Sequence, residues 1–197
     1  IPKFAQVLED PTQGKRFIVL HIYGSHPLAC DRIEDYPKIF NDNDIEKKNE
    51  YLNCYISSIK KTDDFIKKVY ETLKENEQKT HRTFSMIYFS DHADDVDAGL
   101  GHDASRFTFD MARIPLYMYF SDNYIQKYPH TMDILKKHTS AYFTNDLIFD
   151  TLINIMQIPF PVLEETNSLA DKNYKNTSTN LKTLYGKKSL SEDPFAD

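Results

Sequence analysis

The sequence contains no tryptophan, two cysteines and five glycines among 197 residues. Cys30 and Cys54 are too few for a disulfide scaffold or a self-sufficient zinc finger. No stretch reaches the roughly 18 apolar residues that a spanning helix requires. Ile1-Pro2-Lys3-Phe4 has neither a basic start nor an apolar signal run. It also lacks Met, so the chain reads as a piece of something longer, and its missing address says nothing about compartment. Basic charge is not in surplus: Lys and Arg total 24 against 30 Asp and Glu, a net charge of −6. That balance, with a pI near 5.6, argues against a general nucleic-acid binder, whose contact face is basic. GxSxG, P-loop and GxGxxG patterns are all absent, which removes the common elbow and nucleotide-cradle chemistries.

What is present is ordinary for a folded domain. Hydrophobic residues make up 40% and charged residues 27%, and 13 Tyr with 13 Phe exclude a disordered chain. The length suits one core. Residues 1–15 read as a short helix and a turn. Phe17-Ile18-Val19-Leu20-His21 reads as a short strand covered on both faces, as in a parallel sheet. Residues 24–44 are loop-like, and Asn41-Asp42-Asn43-Asp44 could cap the next helix. Leu52, Tyr55, Ile59, Thr62, Ile66, Val69 and Leu73 recur at three- and four-residue spacing, which predicts an amphipathic helix over 46–75. Phe84–Phe89 and Ile114–Phe120 are two further strands, with Pro115 at the start of the second. A helix is expected over 145–157. Residues 159–197 are polar and aperiodic and are expected to form a loosely ordered tail. This order predicts an α/β fold, a layered sheet flanked by helices. In such sheets, chemistry gathers beyond the carboxyl ends of strands.

Two of the predicted strands end in the richest chemistry of the chain. Ser90-Asp91-His92 follows the second strand and opens an acidic segment. A carboxylate and an imidazole are good zinc or manganese ligands. His102 returns ten residues later, and Gly99 and Gly101 permit the tight turn that could bring it back toward Asp91. A solvated acidic loop with incidental histidines explains the same residues equally well. After the first strand come His21 and, beyond a glycine, His26. His21 reads as a satisfied histidine packed near the sheet. A cationic imidazole at His26 could donate to a phosphate oxygen. Cys30 and Cys54 could pair or remain as buried thiols, since sequence does not supply their separation.

These segments resemble a known family. Val19-Leu20-His21-Ile22-Tyr23-Gly24-Ser25-His26 is similar to the "VLHxxGSH" segment of the phosphoethanolamine transferases, members of the alkaline phosphatase/sulfatase superfamily. Tyr88-Phe89-Ser90-Asp91-His92 resembles their "YxSDHGE" segment. Tyr51–Tyr55 with Thr62-Asp63 fall where the family has "NxYDN…D". Arg113–Ser121 is similar to its "VPxLLWxS" strand. The departures are Ala93-Asp94 in place of Gly-Glu, Tyr55-Ile56-Ser57 in place of "YDN", and Asp103 after the returning His.

The resemblance implies an alkaline phosphatase/sulfatase-like fold over residues 1–158 with its N-terminal part missing, and the tail 159–197 beyond it. It implies zinc, as one or two ions with manganese possible, held partly by Asp91 and His92. His26 and His102 would contact the phosphate or a second metal. It implies transfer of phosphoethanolamine from phosphatidylethanolamine to a lipid A or glycan acceptor, through a threonine nucleophile upstream of this chain. The fragment alone is then expected to be inactive. The enzyme would be anchored in the bacterial inner membrane by the missing segment and face the periplasm. The rival readings are another sulfatase-superfamily hydrolase, a phosphoglycerol transferase, and a non-catalytic metal- or phosphate-binding module.

Overall fold

The computed structural model describes residues 1–12, 14–41, 43 and 50–196, which fall into two compact units. The first unit comprises Ile1–Arg82 with Val96–Gly101, and the second comprises Thr83–Asp95 with His102–Asp197.

In the first unit, α1 spans Pro2–Glu9. Its last carbonyls have no intrahelical donors. Arg16 supplies them, with Nη1 donating to the oxygens of Val7 at 2.8 Å and Leu8 at 3.2 Å. α2 spans Glu50–Thr80, so the helix runs five polar residues beyond the expected end. The expected start at 46, and Asp42 and Asp44 of the expected cap, lie outside the described residues.

The face that α2 buries differs from the expected stripe. Val69 and Leu73 are buried as anticipated, but further toward the N-terminus the buried positions are Asn53, Cys54, Ser57 and Ser58, while Ile59 is exposed. That half of the helix packs against loop backbone, which must be hydrogen-bonded where it loses water. Asn53 accepts from Phe40 N at 3.3 Å and donates to Phe40 O at 2.9 Å, and Ser57 Oγ accepts from Ile39 N at 2.9 Å. Cys54 is joined to Cys30 in a disulfide with a Cα–Cα separation of 4.8 Å, and both Ala29 and Ile33 are buried against Cys54.

The expected first strand is corrected. Phe17–His21 runs without a ladder partner among the described residues, and Phe17 and Val19 are 62% and 70% exposed. An apolar run becomes a strand only when a neighbour takes its backbone hydrogen bonds.

In the second unit, β1 spans Ser85–Phe89 and β2 spans Leu116–Phe120. They pair antiparallel, with Ser85 opposite Phe120 and Phe89 opposite Leu116. Pro115 sits just ahead of β2, where its missing N–H costs no ladder bond. Tyr88 and Tyr117 are directly opposite and stack with ring centroids 6.0 Å apart. Such cross-strand aromatic pairs help set register.

Two helices follow that the periodicity did not announce, α3 at Asp122–Lys127 and α4 at Pro129–Lys137. Their start signals are local: buried Ser121 caps α3 by accepting from Tyr124 N, and Pro129 opens α4. α5 spans Ile148–Ile155, preceded by a 3₁₀ turn at Asn145–Leu147.

Phe120, Tyr124, Met132, Leu135 and Ile155 form a core together with Leu169 and Ala170. The expected loose tail is therefore corrected as well: buried Leu169, Ala170 and Leu181 fasten residues beyond 158. β3 (Lys182–Thr183) and β4 (Lys188–Ser189) pair there as a short hairpin. Few apolar residues suffice, because Leu169 and Ala170 are placed against the core of the second unit.

Candidate metal centre

β1 delivers the chain to Ser90, and the loop after it is tightly accounted for. Ser90 Oγ donates to His92 O at 2.7 Å. Ala93 N donates to Met111 O at 2.8 Å. Asn145 Nδ2 donates to the carbonyls of both Ser90 and Asp91, at 3.1 and 3.0 Å. Four backbone or side-chain bonds thus fix the segment from which Asp91 and His92 project.

His92 Nδ1 lies 3.1 Å from Ala93 O. A ring nitrogen engaged with a carbonyl carries the proton, which leaves Nε2 as the lone-pair donor. His102 returns to this loop, but its partner is Asp94 where Asp91 was anticipated: Nδ1 lies 2.8 Å from Asp94 Oδ1. The rings of His92 and His102 have centroids 4.1 Å apart. Asp94 is the buried member, with a side chain only 6% exposed. A carboxylate at Nδ1 orients His102 and leaves its Nε2 directed elsewhere.

The ligand atoms offered by His92, Asp94 and His102 all lie within 4.8 Å of one another. Two imidazoles and a carboxylate in that space match the donor set of a divalent transition metal. Asp91 is held differently. Its side chain is 89% exposed, with Oδ2 3.9 Å from His92 Nε2. Asp103, the residue after His102, is committed to structure. It accepts from Ser105 Oγ at 2.7 Å, Arg106 Nε at 2.8 Å and Ser105 N at 3.0 Å, and these bonds, the Ser105 hydroxyl's foremost, bring its carboxyl pKa down to about 2.

His26 belongs to the first unit, as does His21, and both are exposed. His21 is therefore not the packed histidine that was expected. His26 closes a turn in which its N donates to Tyr23 O at 3.1 Å. Gly24 occupies that turn at φ +53, a conformation that glycine adopts without strain.

Sequence reasoning did not find Asn145. It lies 54 residues from Asp91 in the chain, and no spacing rule links a lone Asn ahead of a helix to a strand-end loop. Its Oδ1 is buried without a partner.

Comparison with known proteins gives concordant results. A family model described as Sulfatase matches residues 1–158. A protein of Haemophilus influenzae, provisionally named a phosphoethanolamine transferase, is 75% identical over 92 residues, 47% of this chain and 19% of its own length. Phosphoethanolamine transferase OpgE of Escherichia coli K12 is 38% identical over 88 residues, 45% of this chain and 15% of its own length. The chain thus matches under a fifth of the length of these curated relatives. Among solved structures, the C-terminal periplasmic domain of EcEptC from Escherichia coli, in complex with Zn, superposes with a TM-score of 0.70 at 19% identity, covering 100% of this chain and 57% of that one. That likeness carries the fold, and the alkaline phosphatase/sulfatase-like architecture expected from the motifs holds. The resemblance to phosphoethanolamine transferases is borne out in the names of the relatives.

Proposed function

Because the chain belongs to the sulfatase family, we propose that it is part of a metal-dependent phosphoethanolamine transferase. The observation that carries this reading is the convergence of His92, Asp94 and His102 at the end of β1, with ligand atoms within 4.8 Å. Residues 1–158 are read as the C-terminal portion of its catalytic domain, with the residues beyond as an appended segment.

The cation is read as zinc, held by Asp91 and His92. The nitrogen and oxygen donors fit it, and a Zn complex of the EptC neighbour supports the choice. When bound, such a cation lowers the pKa of a hydroxyl nucleophile and neutralises phosphate oxygens. In this reading the nucleophile is a threonine outside this sequence. His102, oriented by Asp94, presents Nε2 to the transferring phosphate, where it holds or donates a proton to a leaving oxygen. His26 is read as a phosphate-contacting residue, on the strength of the resemblance. The donor is read as phosphatidylethanolamine and the acceptor as lipid A or a glycan. The periplasmic origin of the neighbouring structures supports a periplasmic catalytic domain anchored in the inner membrane. Among the described residues no helix is long and apolar enough to cross a membrane.

A second reading is favoured by the same donor group: Asp94 and His102 bind the cation together with His92. Metal analysis separates the two. In the first reading Asp91→Ala empties the site and His102→Ala keeps the ion. In the second, His102→Ala empties it as well.

The function is tested by following transfer from labelled phosphatidylethanolamine in the full-length protein, with mass spectrometry of the product. Asp91→Ala should abolish transfer and lower metal content. Undiminished transfer contradicts the reading, and a product bearing phosphoglycerol points to the rival transferase.

A further inference from the structure

Among the described residues Arg32 is a cation without a counter-ion. It follows Cys30 in a 3₁₀ turn at Asp31–Ile33, in a loop pinned to α2 by the disulfide. Among the described residues its buried Nε has no partner, and its Nη2 has only a long bond of 3.5 Å to Pro27 O. Among the described residues no carboxylate pairs with it, although Asp31, Glu34 and Asp35 are close in sequence. Asp35 is taken by Lys61, whose Nζ also donates to Arg32 O at 2.8 Å. A partly buried guanidinium with unmet donors is costly to hold.

Tyr23 covers this cation. The Arg32 Cζ lies 5.0 Å from the centre of the Tyr23 ring. The same ring meets His26 edge-on at 6.2 Å. Tyr23 is nonetheless 70% exposed, so most of the ring does not serve packing. One open aromatic ring thus holds two basic side chains beside it. The backbone that carries them is constrained: the turn at Gly24 fixes Tyr23 relative to His26, Leu28 is held at φ 67, and Ala29 is fully buried. A guanidinium fork reads phosphate oxygens bidentately, an imidazole adds a third donor, and a tyrosine ring offers an apolar platform beside them.

We propose that Arg32, with Tyr23 and His26, forms a phosphate-ester binding site on the loop following residue 22. The site deepens the transferase reading and rests on it for the biological source of the phosphate. Its existence is tested by binding alone.

The experiment titrates the 197-residue chain with inorganic phosphate and, separately, with glycerophosphoethanolamine. Binding is followed by NMR at the Tyr23 ring and the Arg32 Nε–H, with chelator present so that no bound cation recruits the anion. Saturable binding is expected, with Arg32→Gln weakening it about tenfold, the loss of charge-assisted bonds. Arg32→Lys should retain part of the affinity, and Tyr23→Phe should retain nearly all of it. Tighter binding of glycerophosphoethanolamine identifies a lipid headgroup as the source, and equal binding identifies phosphate alone; either supports the site. An Arg32→Gln chain that binds like the parent overturns the proposal, as does a parent chain without saturable binding. Arg32→Gln that lowers the melting temperature while leaving binding intact overturns it too, since Arg32 would then only brace the loop. Metal content without chelator, read in the parent chain, reports on the transferase reading separately.

Discussion

The loop that carries His26 and the loop that carries His92 are held by different means. The first has no strand beneath it among the described residues. It is fastened to α2 by the Cys30–Cys54 disulfide and by the polar side chains Asn53 and Ser57, which bond Phe40 and Ile39. The second grows directly out of β1 and is fastened by hydrogen bonds from Asn145 and to Met111. In both, the proposed site residues project from backbone that is fastened in place. A covalent link substitutes where regular structure is missing. The difference predicts distinct vulnerabilities.

The largest effect should come from the cross-link. Replacing Cys30 and Cys54 by Ser removes a closure spanning 24 residues, and chain entropy makes that worth about 3.5 kcal/mol. The loss should be confined to the first unit. Hydrogen exchange should speed up along α2 while the β1–β2 ladder keeps its protection; equal loss in both would erase the contrast.

Asn145→Ala should come next. Two hydrogen bonds to the Ser90 and Asp91 carbonyls disappear, at a cost of about 2 kcal/mol. Cation affinity should fall as well, although Asn145 is no ligand, because the loop is freed. Metal titration of the variant, alongside its melting curve, checks both. Unchanged affinity would mean that the loop is rigid without Asn145.

The smallest effect at neutral pH, and one belonging to the second unit, is alkaline. Burial raises Tyr124 and Tyr174 from 10.0 to about 12. The fold favours their neutral forms, so their contribution is complete below pH 10 and is lost as pH rises from 10 toward 12. Ultraviolet titration should find Tyr124 and Tyr174 among the late phenols, with Tyr36 and Tyr88 also raised. Ionisation of all the tyrosines near pH 10 in the folded chain would contradict it.

Much of the site was legible because strand-end chemistry leaves a local mark. An apolar run ending in Ser-Asp-His is visible in sequence, and β1 stands where the reading put it, while His102 returns to the loop with Asp94 as its partner in place of Asp91. Asp94 was visible as a possible stand-in for a glutamate, but its bond to His102 depends on a turn whose course no spacing specifies. α2 was legible as a helix because its period is long. Its buried N-terminal face was not, because Asn53 and Ser57 earn burial through loop carbonyls and amides far away in the chain. Phe17–His21 misled for a related reason: apolar character shows what a segment could bury, not which neighbour is present. α3 and α4 are too short to show periodicity, and only Ser121 and Pro129 announce them.

The central claim is that the loop beyond β1 grips a divalent cation through His92. Cobalt(II) added to the 197-residue chain tests this most directly, because its visible absorption reports coordination. The account predicts stoichiometric binding with imidazole ligation, competed by zinc, and its loss in His92→Ala with the melting temperature preserved. A His92→Ala chain that gives the same spectrum at the same affinity would contradict it.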